Sequence, residues 1–179
     1  EFRRVLFRSD PLVRPEGRLA FAVDVNAERS AASIAVSDEQ GRIELVDHRP
    51  GVSWIVERIR ELIARWDAPV VLDGYGPAGS LLDAIEGAGV HVEKLSSRQV
   101  ANACGVFYDA VSDRKLQIRR HDLLDEAIAA ARRRTSGDSW SWARSDTSAD
   151  ISPLVAITLA YERAASNRAN GAEAWVAWD

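Results

Sequence analysis

Three aspartates in this chain could do chemistry together: Asp24 in the apolar run FAVDV, Asp73 in VVLDG, and Asp150 at the start of DISPLVAITLA. Hard divalent cations prefer carboxylate oxygen. Two-metal sites that cut phosphodiesters need carboxylates converging from separate elements, with the ions held about 4 Å apart. Each aspartate also has an ordinary use. Asp24 could be a hydrogen-bonded strand acid, although a carboxylate within an apolar strand is costly unless it is paired or metal-bound. Asp73 precedes Gly74, the setting of an Asx turn. Asp150 precedes a helix with Pro153 near its first turn, the setting of an N-cap. Their joint placement is more telling than any one of them, and the pattern points to a metal-dependent nuclease.

The elements that must position these acids follow from periodicity. Arg18 to Asn26, Ala32 to Ser37 and Ile43 to His48 are short apolar runs with short links, which predicts a three-strand antiparallel meander. Val52, Ile55, Val56, Ile59, Leu62 and Ile63 recur at helical spacing, and that helix ends before Pro69. Val70 to Leu72 reads as a strand buried on both faces, followed by a Gly-rich turn, a helix over Ser80 to Glu86 and a strand over Val90 to Leu95. Residues 97 to 111 read as helix, Lys115 to Ile118 as a short strand, and Leu123 to Arg134 as an Ala-rich helix. Trp140 and Trp142 alternate as in a strand, and a last helix runs from Ile151 to Ala165. The tail GAEAWVAWD is too short to classify.

Composition narrows the classes. With 179 residues, 46% hydrophobic and 28% charged, the chain suits one globular domain. Residues 1 to 17, basic and without periodicity, are expected to be a flexible arm or a cloning remnant, leaving 18 to 179 as the domain. No apolar run reaches the roughly 18 residues of a membrane span. A cytoplasmic setting is expected. Cys104 is the only cysteine, which excludes an intramolecular disulfide and any Cys-based zinc site; it reads as a buried thiol. His48, His91 and His121 lack zinc-site spacing. His121 with Asp122 reads as a helix start, with general-base chemistry as the minor alternative. The net charge of −4 speaks mildly against a general nucleic-acid coat, yet an acidic site neutralised by metal remains compatible with a nuclease.

One motif points elsewhere. Gly74, Gly76 and Gly79 in GYGPAG spell GxGxxG between a strand and a helix, with Glu93 where a dinucleotide fold places its ribose-binding acid. An NAD(P)-binding Rossmann-like domain is therefore an alternative. Against it, the unit is not the first strand–helix–strand unit of the chain, Pro77 removes one N–H from a phosphate cradle, and Asp73 would set a negative charge beside a pyrophosphate. A third class is a non-catalytic assembly module anchored by Trp140, Trp142, Trp175 and Trp178, although core packing is the expected fate of most of them.

Periodicity alone gives an α/β protein with mixed strand directions; a meander followed by alternating helices and strands resembles the ribonuclease H-like fold, a mixed α/β sheet flanked by helices. The segments FAVDVNAERSAASIAV, VVLDGYGPAGSLLDAIEGAGVHVEKL, FYDAVSDRKLQIRRHDLLDEAIAAARRR and ADISPLVAITLAYERA resemble the C-terminal nuclease domain of tailed-phage terminase large subunits, over residues 18 to 165. The resemblance implies a two-metal-ion endonuclease that cuts concatemeric viral DNA during packaging, in the host cytoplasm. It implies Mg²⁺ or Mn²⁺ as cofactor, two ions in number, held by Asp24, Asp73 and Asp150. Many relatives place the third acid where this chain has Ser152, so Asp146 is the substitute if Asp150 does not serve. Double-stranded DNA, a portal protein, a small terminase subunit and a terminase ATPase domain are the implied partners; no GxxxxGK[ST] loop occurs here. Arg29, Arg98, Lys115, Arg119 and Arg120 are the candidate DNA contacts by sequence proximity, and Arg132 to Arg134 read as charges favoured at a helix end.

Overall fold

The computed structural model describes residues 10–145 and 147–176, with side chains to 167. In chain order the elements are β1 (Leu19–Val25), β2 (Ala31–Asp38), β3 (Arg42–Pro50), α1 (Ile55–Trp66), β4 (Val70–Asp73), a 3-10 turn (Pro77–Leu81) running into α2 (Leu82–Gly87), and β5 (Val92–Leu95). Then come α3 (Ser97–Ser112), β6 (Gln117–Ile118), α4 (Asp122–Ala130), β7 (Arg133–Ser136), β8 (Ser139–Trp142) and α5 (Ser152–Val176). Strand order is β5-β4-β1-β2-β3-β6. The β1–β2–β3 meander is antiparallel, whereas β4 joins β1, β5 joins β4 and β6 joins β3 in parallel. This is the ribonuclease H-like arrangement that the resemblance implies.

Alternation along the strands builds two cores. On one face Phe21, Val23, Val25, Ile34 and Leu72 pack against Ile55, Ile59 and Leu62 of α1 and Ile85 of α2. On the other, Ala22, Ala35 and Val71 meet Phe107 of α3 and Leu154, Ile157 and Leu159 of α5. Small Ala22 and Ala35 leave room for α5, which packs chiefly on β2 and β1. Residues 151 to 160 of that segment are buried without exception, so α5 is enclosed on all sides at its start. Each fully buried Leu or Ile there stabilises the docking by about 1.5–3 kcal/mol. The start of α5 is thereby fixed over the sheet, on the face to which the period of two also assigns Asp24 and Asp73.

Two stretches differ most from expectation. α4 ends at Ala130, and Ala131 turns into extended backbone (φ −57°, ψ 131°), so Arg132 to Arg134 do not cap a helix. Helix propensity is overridden because Arg133 lies 4.2 Å from the Tyr108 ring centroid and 4.4 Å from that of Trp140, while its strand pairs with β8 around a turn at Gly137 (φ 58°). α5 continues to Val176, through most of the tail that the sequence leaves unclassified. Near the start of the chain Val13 is buried and the Glu16 N–H donates to Asp38 Oδ2 at 3.0 Å, tying this stretch to the sheet. No helix among the described residues is long and apolar enough to cross a membrane.

Candidate active site

The strand register lays a polar row across one face of the sheet. Val23 stands beside Leu72 on the parallel pair, so Asp24 and Asp73 are next neighbours one residue on. Asp24 is opposite Ser33, and Ser33 is opposite His48. The start of α5 sits above this row: Ser33 Oγ is 2.8 Å from Ser152 Oγ and 2.9 Å from His48 Nδ1.

Each aspartate meets both its ordinary use and its place in the cluster. Asp73 Oδ1 accepts the N–H groups of Tyr75 and Gly76, both at 3.0 Å, as in an Asx turn, and Oδ2 is left facing inward. Asp150 Oδ1 accepts the Ser152 N–H at 2.8 Å and caps the start of α5. Its Oδ2 accepts from Asn26 Nδ2 at 3.2 Å and lies 3.7 Å from His48 Nε2. Asn26 is itself locked, because its Oδ1 accepts the N–H groups of Ser30 and Ala31 that close the β1–β2 turn. Asp24 is the most enclosed, with its side chain 1% exposed against 23% for Asp150.

Arg144, just beyond β8, completes the constellation. Its NH1 donates to Asp24 Oδ2 and its NH2 to Asp73 Oδ2, each at 2.9 Å. Burial works against the charge of this guanidinium, yet the two carboxylates outweigh burial and keep it protonated. One cation thus serves two acids. Asp24 is short of counter-charge: burial pushes its carboxyl up to about 7, Arg144 pulls it down in part, and Asp73 and Asp150 push it up again. Asp24 Oδ1 has no hydrogen-bond partner among the described residues. A cavity of about 170 Å³ opens beside it, walled by Asp24, Asn26, Glu28, Arg144, Asp150 and Ser152 among others. Asp73 is outside these walls and joins them through Arg144.

The raised carboxyl has a consequence for metal-free protein. A folded-state value near 7 against an unfolded value near 3.8 means that the folded chain holds the extra proton. Its contribution is full below about pH 4 and is lost as pH rises through about 7. The difference is on the order of 4 kcal/mol. Melting temperature in EDTA should therefore fall from pH 5 to pH 8, and Asp24→Asn should flatten that slope; equal slopes in both proteins would contradict the burial account.

The acids fit a divalent cation in donor chemistry, since they are hard oxygen ligands and one buried oxygen is unpartnered. Yet among the described residues no three of His, Cys, Asp or Glu stand as a closed metal-binding group, and the positive charge between Asp24 and Asp73 is that of Arg144. A cation would have to share or displace that guanidinium. Asp146, the proposed substitute for Asp150, lies outside the described residues.

Of the candidate DNA contacts, Arg29 and Arg98 lie at the sheet end that carries the acids. Arg29 is in the β1–β2 turn, with NH1 donating to Pro77 O at 2.5 Å, and Arg98 follows Leu95, the register partner of Asp73. Lys115, Arg119 and Arg120 are not brought there. β6 pairs with Arg42 and Ile43 at the start of β3, five residues before His48 and roughly 16 Å away along the strand. Arg119 is paired with Glu44 at 2.8 Å and Lys115 with Asp113 at 2.8 Å. His121 caps α4, with Nδ1 accepting the Leu123 N–H.

The GYGPAG turn serves its own packing. A side chain on Gly79 would place Cβ 2.4 Å from Gly74 O, and one on Gly76 would place it 2.5 Å from Asp73 Oδ2. The N–H groups of Tyr75 and Gly76 are turned to Asp73 rather than outward, so no phosphate cradle is open here. Gly79→Ala should cost about 1–3 kcal/mol in a denaturant titration, because the clash is with backbone. A neutral result would show that the turn tolerates a Cβ. Trp142 is core, its Nε1 donating to Thr158 Oγ1 at 3.0 Å, and Trp140 packs edge-on against it. The side chains of Trp175 and Trp178 lie outside the described residues.

No family model matches the chain, and no protein of curated function matches it in sequence. Solved structures do. The large terminase nuclease from thermophilic phage G20c with bound magnesium aligns with a TM-score of 0.68 at 12% identity, over 91% of this chain and 97% of that one. The nuclease domain of the large terminase subunit of bacterial virus Sf6 aligns at 0.64 and 10% identity, over 89% and 96%. The HK97 bacteriophage large terminase aligns at 0.67 and 14% identity, over 90% of this chain and 42% of that longer one. The fold is that of phage large terminase nuclease domains.

Proposed function

We propose that this chain is a metal-dependent DNA endonuclease of the genome-packaging type, cutting concatemeric viral DNA. The observation that carries the reading is the unpartnered buried oxygen of Asp24, an acid that follows the register partner of the residue before Asp73 and that shares a cavity with the α5-capping Asp150. The likeness to terminase nucleases supports it, as do structures of such domains with magnesium, cobalt or manganese bound.

Asp24, Asp73 and Asp150 would hold Mg²⁺ or Mn²⁺, two ions in the full reading. When bound, the metal supplies Lewis-acid stabilisation at the scissile phosphate and a water of lowered pKa. The chain's own residues prepare the site. Arg144 holds Asp24 and Asp73 side by side against their mutual repulsion. Asn26 and the Ser152 N–H orient Asp150. No protein nucleophile is needed, and burial pushes the Cys104 thiol up to about 11, far from a reactive thiolate. Arg29 and Arg98 are the proposed phosphate contacts at this end of the sheet. Double-stranded DNA as substrate, the portal, the small subunit, an ATPase domain and the host cytoplasm as setting belong to the same proposal.

Supercoiled plasmid incubated with the protein in Mg²⁺, Mn²⁺ or EDTA tests the reading. Nicked and linear products are expected in the metals and none in EDTA. The third ligand is tested in the same assay: Asp150→Ala should lose cleavage and Asp146→Ala keep it, and the reverse pattern would move the assignment to Asp146.

A further inference from the structure

The exposed ring of Tyr75 has no place in the chemistry above. It is 72% exposed, among the most exposed large apolar side chains of the described residues, and it stands two positions after Asp73. The backbone that carries it is fixed. Its N–H is bound to Asp73 Oδ1 at 3.0 Å, the next peptide makes the same bond through Gly76, and the turn is pinned from the other side by Arg29 on Pro77 O. Lys94, on the neighbouring strand β5, places Nζ 4.9 Å from the ring centroid. The Lys94 stem lies so close over Gly74 that a Cβ there would come within 2.1 Å of it, so absence of a side chain at Gly74 is what lets the lysine reach the ring.

An aromatic on a pinned turn, with an ammonium beside its ring and otherwise in solvent, keeps a broad apolar face available for stacking. The face of a base in duplex DNA is covered by its neighbours; that of an unpaired base is free, and the adjoining phosphate suits Lys94. We infer that Tyr75 stacks on a nucleobase that has left the duplex next to the scissile phosphate, so that DNA with an unpaired base near the cut is the preferred substrate. This rests on the nuclease reading, and it makes Tyr75 a residue that sets substrate specificity rather than one that performs the hydrolysis.

The test uses two otherwise identical duplexes, each with one 2-aminopurine, either paired or opposite an abasic site, bound in EDTA to prevent cleavage. Wild type should bind the unpaired form about tenfold more tightly and quench its 2-aminopurine fluorescence. Tyr75→Ala should lose both the preference and the quenching, and Tyr75→Phe should keep both. A Tyr75→Ala protein with the wild-type preference, or a Tyr75→Phe protein that behaves like alanine, overturns the stacking role. Wild type that cuts plasmid in Mg²⁺ but binds both duplexes equally overturns the inference and leaves the nuclease reading standing. Wild type that neither binds nor cuts DNA removes both.

Discussion

Asp24→Asn should reduce metal-dependent cleavage by about three orders of magnitude or more while leaving the fold intact. Asp24 is the acid shared by every part of the site: it faces Arg144, adjoins Asp73 across a parallel pair, and carries the unpartnered oxygen beside the cavity. Removing a carboxylate that supports a catalytic cation costs several kcal/mol of transition-state stabilisation, and each 1.4 kcal/mol is about a factor of ten. Stability should move the opposite way at neutral pH. A fully buried carboxyl held near 7 is a strained group, and the neutral amide of the same shape has no charge to desolvate. Loss of cleavage with an unchanged or raised melting temperature is therefore the expected signature. Loss of both would place Asp24 in the core's architecture rather than in its chemistry.

Arg144→Ala should produce the largest change in stability. It leaves two carboxylates, 1% and 12% exposed, with no cation between them. Breaking a buried pair by removing one partner costs about 3–5 kcal/mol. The loss should depend on pH in a defined direction. Without the guanidinium, the Asp24 carboxyl rises further above its unfolded value, so stability falls more steeply as pH increases, and the deficit at pH 8 exceeds that at pH 5. Mn²⁺ should repair the variant more than it stabilises wild type, because the ion no longer competes with an internal cation for the same oxygens. Equal metal-induced shifts in melting temperature for the two proteins would argue that Arg144 and the metal do not share those carboxylates.

Much of this arrangement is legible in the sequence. The meander and the unalternating run at Val70 mark β1 to β4, and an acid interrupting the first run and ending the fourth singles out Asp24 and Asp73; that they stand side by side comes from the parallel β1–β4 register. Asp150 is legible only as an acid before a helix, since a cap and a ligand demand the same residue there. Arg144 is not legible. A polar stretch with several arginines does not say which one a hairpin will deliver into a cleft about 120 residues away along the chain from Asp24. Ser33 and His48 emerge only from the register, which lines them up with Asp24 and which no single strand encodes. Lys115 and Arg119 follow the opposite course: nearness in sequence suggests the site, but β6 pairs with the start of β3 and carries them away from it. At Arg133 local propensity favours helix, whereas contact with Tyr108 and Trp140 decides for strand.

Plasmid cleavage titrated with Mn²⁺, using wild type and Asp73→Asn with matched circular dichroism, tests most directly whether these acids would hold the metal on which DNA cutting depends. Wild type should be inactive in EDTA and saturate with the ion, and Asp73→Asn should need at least roughly tenfold more metal for half its maximal rate. Cutting that persists in EDTA, or a metal titration unchanged by Asp73→Asn, would contradict the account.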